Sequence, residues 1–533
     1  MSTKFKNYYN YFVNLICPAF VFGSVTGVLT ALVITLYKMC AGFLIGLSQA
    51  GYDFLRINPY YIALVIVVFI GISILLSFLY SKMPNLKGGG IPTSIGIIRG
   101  LLPFKWFLNL IGVFFLSLLS FFIGVPLGNE GPSVQMGTLL GRGSVSPLIK
   151  KHRVWSRYSM TGGSCAGFSV ATGAPVSGIV FALEEAHQSF SPMIMIVAST
   201  SVMFAHITTE VLSLFFHINP RLFHHLTLPD FRIRDIWIPV LVGIAIGVMA
   251  VLVLKYYTFV SRFLNKKLSF IQLKYKIFIV FVLTLVAGLF SFSFISTGHH
   301  LIDELLLSSP SFLMLFAILI IRTTLTFSAN SCGITGGLFL PIMSLGATAS
   351  AIVGKCFVSL SQDNGYYTLI VVLGITACIS SMMKTPFTAM VFAIEALSCG
   401  GYILPVIVVS CISYVITEMF DVKSITDIAL ENTIENFYHD KEYKVYDTFV
   451  KVKSSSFASG KQIRDILWPS NLFVLSVKRA DNEAEVDVHG GKQLKAGDIL
   501  HIRYSTYDEQ NTKEELISIV GMQNFDEHID SVI

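Results

Sequence analysis

The chain has 533 residues, of which 53% are hydrophobic and only 13% charged, with a formal net charge of +6. Soluble domains carry about 25% charged residues, so this composition excludes a soluble globular protein and marks a polytopic membrane protein. No basic cluster is interleaved with aromatic residues, which argues against nucleic acid as a partner, and the eight cysteines, all before residue 412, show no metal-ligand spacing and no disulfide framework.

The first apolar stretch, Phe20 to Leu47, is far longer than the apolar core of a signal peptide. It follows Lys4 and Lys6, which places the N-terminus inside. Apolar segments then continue to about residue 434. Spans or part-spans are expected near 18–48, 60–81, 104–125, 130–142, 157–170, 176–188, 193–216, 236–262, 275–296, 310–328, 337–353, 366–382, 387–398 and 402–420. Several fall short of the roughly 20 residues that a bilayer needs. Short segments broken by glycine and proline mark helices that end inside the membrane around a site.

The most informative of these breaks is Gly128-Asn129-Glu130-Gly131-Pro132, directly after the apolar run Trp106 to Val125. It puts Glu130 at or near membrane depth, where a charge costs about 2.5–3.5 kcal/mol on insertion scales, so the carboxylate is a functional candidate. Pro132 suits a first helical turn, because its missing N–H would be unpaired there anyway. The helix end that opens at Glu130 carries roughly half a positive charge and attracts anions. A carboxylate held over such an end takes the place of an anion and leaves when protonated.

The sequence also repeats. Ala174-Pro175-Val176-Ser177-Gly178-Ile179-Val180-Phe181-Ala182-Leu183-Glu184 aligns with Thr385-Pro386-Phe387-Thr388-Ala389-Met390-Val391-Phe392-Ala393-Ile394-Glu395, and Pro132 and Gly137 align with Pro341 and Gly346. Two related halves of broken helices suggest a transporter with its site between them. Glu184 and Glu395, at equivalent places, read as partners of helix ends. Lys384 reads either as an anion attractor in a vestibule or as a snorkelling lysine. His299, His300, Asp303 and Glu304 have metal-like spacing, but a polar loop opening a helix after Gly298 is the better reading, and no metal site is expected. The spans hold no HExxH and no Ser/His or paired-Asp arrangement, so the chain does not read as an enzyme.

Residues 434–533 form a separate domain. Residues 437–533 are the only long polar stretch. Lys461 to Leu467 reads as a short helix, Asn471 to Arg479 as a strand, Asp481-Asn482 as a turn, and Leu494 to Leu500 as the lead into a strand at His501–Tyr504. This predicts a small α/β domain on the cytoplasmic side.

Four motifs, in order, resemble those of the CLC family of chloride channels and anion–proton antiporters, over about residues 10–433. They are Gly88-Gly89-Gly90-Ile91-Pro92 (family GSGIP), GNEGP at 128–132 (GREGP), Gly178 to Glu185, and Gly336-Gly337-Leu338-Phe339-Leu340-Pro341 (GGxFxP). The resemblance implies an all-α polytopic fold with an inverted repeat of broken helices, assembled as a homodimer in a bacterial plasma membrane, with residues 1–433 as the transport domain. It implies that Glu130 is the external gating glutamate and Glu185 the internal proton-transfer glutamate. The anion path would be bordered by Gly89, Gly90, Ile91, Gly131, Leu338, Phe339 and Thr426, with amides from Leu338 and Phe339 at the central site.

Three positions depart from the family. Gly89 replaces its central serine, Asn129 replaces the arginine before the gating glutamate, and Thr426 replaces its inner tyrosine. Together they imply a wider, wetter inner path. The C-terminal domain resembles the TrkA-C (RCK-C) module, through Gly460 to Ile463 and Leu494 to Leu500. Such modules dimerise, and some bind cyclic di-AMP, the regulator this resemblance suggests. The expected function is chloride/proton antiport without a cofactor. Fluoride/proton antiport is the alternative, favoured by Asn129 and the missing serine but opposed by the chloride-type Gly337-Leu338-Phe339. A passive voltage- or ligand-gated chloride channel is the third reading, opposed by Glu185.

Overall fold

A computed structural model of the chain describes residues 16–88, 90–145, 153–188, 191–216, 219, 222–223, 228–307, 310–361, 365–438, 441, 443–480, 485–486, 488–521 and 527–530. The first half runs through α1 (Cys17–Ile57), α2 (Ile62–Lys82), α3 (Ile91–Ile98), α4 (Trp106–Ile123), α5 (Glu130–Val145), α6 (Arg153–Thr172), α7 (Pro175–Phe181) and α8 (Pro192–Phe216). The second runs through α9 (Trp237–Arg262), α10 (Leu273–Phe290), α11 (His299–Leu307), α12 (Phe312–Ser331), α13 (Phe339–Ser361), α14 (Tyr367–Met383), α15 (Pro386–Ala396) and α16 (Ile403–Met419). α17 (Ile425–Phe437) follows. Among the described residues, eight helices are long and apolar enough to cross a membrane. The chain is a multi-pass membrane protein.

The halves correspond helix for helix. α1 packs on α6 and α8 as α9 packs on α14 and α16, and α5 lies on α6 as α13 lies on α14. Small residues make these contacts close. A Cβ added to Gly137 would lie 2.1 Å from the Gly163 carbonyl oxygen, and one added to Gly141 would lie 2.1 Å from that of Ser159. Membrane helices gain nothing from burying leucine against lipid-like neighbours, so close backbone approach supplies the packing energy.

Contacts between the halves establish the symmetry. Gly128 and Gly337, which the repeat aligns, donate to each other's carbonyls at 2.7 Å in both directions. Glu184, at the end of α7, accepts from the Phe387 and Thr388 amides at the start of α15, at 3.0 and 2.7 Å. Glu395, at the end of α15, accepts from the Val176 and Ser177 amides at the start of α7, at 2.9 and 2.8 Å. A contact returned between equivalent residues is the signature of a two-fold axis. α7 and α15 run antiparallel, so the axis lies across them and the repeat is inverted. The reading of Glu184 and Glu395 as helix-end partners agrees with this geometry.

Three helices of the membrane domain were not among the expected spans. α3 and α11 have eight and nine residues, too short for a membrane-length window. α17 carries Asp427, Glu431 and Glu435, which hide it from a hydropathy reading. The expected span 275–296 ends at Phe290, and the linker after it is held by Arg322. This fully buried guanidinium donates to the carbonyls of Ser293, Ile295 and Ser296.

The C-terminal domain is a five-stranded antiparallel sheet in the order β3-β2-β4-β1-β5. Its strands are β1 (Lys444–Lys451), β2 (Leu472–Lys478), β3 (Glu485–Val486), β4 (Ile499–Thr506) and β5 (Glu527–Asp530), and α18 (Glu509–Val520) completes it. On the central pair, Tyr446 faces Tyr504, Thr448 faces Ile502 and Val450 faces Leu500, all buried, so the period-2 alternation defines one packed face. Leu516, Ile519 and Val520 of α18 join the same core. The expected strands at 471–479 and 501–504 agree with β2 and β4. The expected helix at 461–467 is reduced to one turn at Ile463–Asp465, because Lys461, Ile463 and Arg464 bond to the 490–494 segment instead. The expected turn at Asp481-Asn482 lies outside the described residues.

Candidate functional site

The site is built where three helix starts converge. Gly90, at φ +89°, precedes α3, Gly131 sits in the first turn of α5, and Gly337 precedes α13. A Cβ on Gly131 would lie 2.5 Å from the Gly337 Cα and 3.2 Å from the Gly90 Cα. Only glycine permits this approach, and it brings three positive helix ends to one point. The loop before α3 is pinned as well: Gly88 donates to Gly333 at 2.9 Å and accepts from Gly336 at 2.8 Å. Gly89 lies outside the described residues.

The first-turn amides at such ends have no partner within their own helix. In α5 the amides of Glu130 and Gly131 precede Pro132, and in α13 those of Phe339 and Leu340 precede Pro341. In α3 the Ile91 amide precedes Pro92. The Gly90 amide is already engaged, donating to the Gln135 Oε1 at 2.8 Å, while Gln135 Nε2 donates to the Asn85 carbonyl at 3.1 Å. Gly90, expected on the anion path, therefore shapes the junction with its amide already engaged. Gln135, which sequence reading missed, ties α3 to α5. Its place one helical turn after Gly131, on the same face, was the available signal.

Glu130 is fully buried, and neither carboxylate oxygen has a hydrogen-bond partner among the described residues. The side chain folds back over its own helix end: a Cβ on Gly128 would lie 2.6 Å from its Oε2. The backbone amides that act on it are its own and that of Leu340, one from each facing helix. Lys38 of α1 and His299 of α11 are the cationic side chains whose charge reaches it. His299 is itself committed, with Nδ1 3.0 Å from Asp303 and Nε2 2.5 Å from the Leu222 carbonyl. Among the described residues, no group of three or more His, Cys, Asp or Glu side chains is placed to hold a metal.

Beside the junction lies a cluster of aromatic rings. Phe339 is buried, edge-on to Phe168 at 5.1 Å and to Phe392 at 5.4 Å, and Phe168 stacks on Phe181 at 5.0 Å. Phe181 and Phe392 are equivalent in the repeat. Leu338, also buried, precedes Phe339.

Glu185 occupies a different setting. It lies in the turn after α7, where Arg99 donates to the Glu185 carbonyl at 3.2 Å and the Ala186 carbonyl at 3.0 Å. Its carboxylate lies against the Thr426 hydroxyl, with Arg99, Asp427 and Glu184 around it. It borders a polar cavity of about 230 Å³ shared with Arg99, Lys384, Tyr414, Glu418 and Asp427. Lys384 is paired with Glu418 at 3.0 Å, which settles it as an ion-paired residue of this vestibule. Thr426, expected to replace the family's tyrosine, is in the first turn of α17, on the Glu185 side of the site.

The sequence profile of the family described as voltage gated chloride channel matches residues 72–418. The chain belongs to the CLC family. CLC relatives include the H(+)/Cl(-) exchange transporter ClcA of Vibrio vulnificus, 24% identical over 438 residues that span 78% of this chain and 89% of that protein. ClcA of Vibrio parahaemolyticus is 25% identical over 445 residues, spanning 78% and 90%. Among solved CLC structures, a slow cyanobacterial Cl-/H+ antiporter superposes with TM-score 0.70 at 23% identity, covering 78% of this chain and 98% of that one. A CLC-type fluoride/proton antiporter superposes with TM-score 0.63 at 17% identity, covering 77% and 97%. At these identities the structural likeness is one of CLC fold. The C-terminal domain lies outside the CLC match.

Proposed function

We propose that this CLC protein exchanges chloride for protons, with Glu130 as gate and proton carrier and Glu185 as the internal proton acceptor. One observation carries the reading: a fully buried carboxylate lies over two helix ends, within the pull of an amide from each, yet neither oxygen makes a well-formed hydrogen bond among the described residues. A structural carboxylate at that depth would be hydrogen-bonded. Unpartnered, Glu130 occupies the place of an anion, and protonation releases it so that chloride can take the amides. Helix-end amides bind an anion without a strongly held counter-charge, which also lets it leave. Glu185, in its own polar cavity, exchanges protons with the side of the membrane that carries the C-terminal domain, the cytoplasm in this reading. The aromatic cluster adjoins both neighbourhoods, with Phe339 next to Leu340, whose amide acts on Glu130, and Phe181 four residues before Glu185. The Vibrio relatives, named as H(+)/Cl(-) exchangers, support antiport.

The finer assignments are a homodimer in a bacterial plasma membrane, anion contacts from Ile91, Gly131, Leu338 and Phe339, and control by a TrkA-C-like domain with cyclic di-AMP as its effector. Titration calorimetry of the full chain with cyclic di-AMP tests the last, and no heat of binding removes it. The transport test uses purified protein in liposomes, recording anion release and internal pH together. Uphill proton movement with a chloride gradient is expected. Movement only with fluoride would assign the fluoride/proton reading, and anion release without proton movement would make the protein a channel. Glu185→Gln should stop proton flux and keep anion flux.

A further inference from the structure

His299, at the start of α11, sits between two acceptors. Its Nε2 lies 2.5 Å from the Leu222 carbonyl oxygen and its Nδ1 lies 3.0 Å from the Asp303 carboxylate. A carbonyl and an ionised carboxylate can only accept, so both ring nitrogens must donate, and only the imidazolium carries two N–H groups. The buried Phe223 stacks on the same ring at 5.2 Å and 13°, a face that attracts a cation. The ring is 35% exposed, so water reaches its proton. The other titratable groups of α11 turn elsewhere: His300 meets Phe292 edge-on, and Glu304 accepts from the Ser293 hydroxyl at 2.7 Å. Arg322 of α12 comes against Gly298, but its terminal nitrogens are given to the carbonyls of Ser293, Ile295 and Ser296. Among the described residues, the charged group beyond α11 whose field reaches His299 is Glu130.

α8 starts seven residues after Glu185 and crosses the membrane to Phe216, so the link that carries Leu222 and Phe223 lies on the face opposite the Glu185 vestibule. α11 packs on α13, and a Cβ on Gly298 would lie 2.8 Å from the Ser344 Cβ, one turn after Leu340, whose amide acts on Glu130. Asn129, beside Glu130, brings no charge. Of the two cations that Glu130 feels, Lys38 and His299, the histidine is the type that gains and loses its charge around neutral pH. A nearby cation favours the ionised form of a carboxylate. Resting on the antiport reading, we propose that His299, as an imidazolium clamped between Leu222 and Asp303, is a positioning residue that holds Glu130 ionised over the helix ends and makes this gate answer to the pH of the outer solution. When the ring loses its proton, one acceptor is left facing a lone pair, the link lets go of α11, and Glu130 takes a proton more readily. Protons become scarce in alkaline solution just as this cation disappears, so the two titrations offset each other and proton uptake extends over a wider pH range than a lone carboxylate allows.

The test is chloride-driven proton movement by the full chain in liposomes, recorded at equal pH on both sides from about pH 5 to 9, across the range in which histidine titrates. His299→Gln fixes the site neutral and His299→Arg fixes it charged with two donors kept. The alkaline limb of the arginine variant should lie roughly half a pH unit or more below that of the glutamine variant. The unsubstituted protein should follow the arginine curve at the acid end and the glutamine curve at the alkaline end, giving a shallower limb than either. Asp303→Asn, which leaves the ring in place, should move the unsubstituted curve toward the glutamine one and keeps the test open if a substituted ring fails to fold. The proposal is overturned if the glutamine and arginine limbs coincide, or if His299→Gln and Asp303→Asn lower exchange equally at every pH, as a purely structural role requires. Chloride release without proton movement in the unsubstituted protein would bring down the antiport reading and this proposal with it. Proton movement whose pH profile none of the variants shifts would bring down this proposal alone.

Discussion

Two junctions on the pseudo-two-fold axis place a carboxylate at a helix start, and they use it in opposite ways. At the α7–α15 crossing, Glu184 and Glu395 each accept two backbone amides of the facing helix, and Glu184 also accepts from the Thr388 hydroxyl at 2.7 Å. At the α5–α13 junction, Glu130 meets the same kind of helix end with neither oxygen in a well-formed hydrogen bond among the described residues, only the pull of two nearby amides, its own and that of Leu340. Residue type and local field are similar, although Glu130 is fully buried and Glu184 and Glu395 are half-buried. In the proposed reading, what separates the structural carboxylates from the gating one is whether their lone pairs are taken.

The sharpest way to break this comparison is Glu130→Gln. Proton movement driven by chloride should fall by about 100-fold or more, the scale of losing a positioned proton-transfer group. Anion flux should persist and the melting temperature should not drop, because no well-formed hydrogen bond is lost. A clear drop in melting temperature would make Glu130 a structural residue. Glu395→Gln should do the reverse. It turns a donor toward an amide and costs about 1.5–3 kcal/mol, seen as a lower melting temperature, while the proton-to-chloride ratio stays unchanged. A changed ratio would erase the distinction between the junctions. Gly131→Ala tests why the α5–α13 junction is so tight: crowding against Gly337 should cost about 1–3 kcal/mol in thermal unfolding. Retained stability would mean that the helix ends are not in contact.

The smallest effect lies outside the membrane and serves as a control. Lys461 is half-buried against the Phe457 ring, 3.0 Å from its centroid, and burial lowers its pKa to about 7 from an ordinary 10.5. Between those values the unfolded chain holds a proton that the folded domain has released, so stability rises with pH from about 7 toward 10.5. The slope is at most about 1.4 kcal/mol per pH unit, and less for a partly exposed group. Lys461→Met should flatten the slope in thermal melts between pH 7 and 9, and should leave chloride exchange untouched.

The membrane fold was legible because its signals are local. Pro132 and Pro341, and the repeated run ending in Glu184 and Glu395, mark both the broken helices and their pairing. Glu130 stood out because charge at depth is costly. What the sequence hid is long-range. No window reveals that Gly90, Gly131 and Gly337 touch, or that Gln135 spends the Gly90 amide. α17 was too acidic to look like part of a membrane domain. The docking of the C-terminal domain depends on ordinary-looking residues of a membrane helix. Tyr158 donates to the Asp465 carbonyl at 2.6 Å, Arg157 pairs with Glu515 at 2.7 Å, and Trp155 meets Phe457 edge-on at 5.9 Å.

Arg99 belongs to both worlds. Its carbonyl accepts from the Ser470 amide of the C-terminal domain at 3.3 Å, while its guanidinium holds the backbone of Glu185 and Ala186. Free-energy coupling between two sites is reciprocal. If an effector of the C-terminal domain shifts Arg99 and so changes how readily Glu185 takes a proton, the affinity for that effector must itself vary with acidity. The pH dependence of effector binding would then read out the inner proton site in a protein that is not transporting anything.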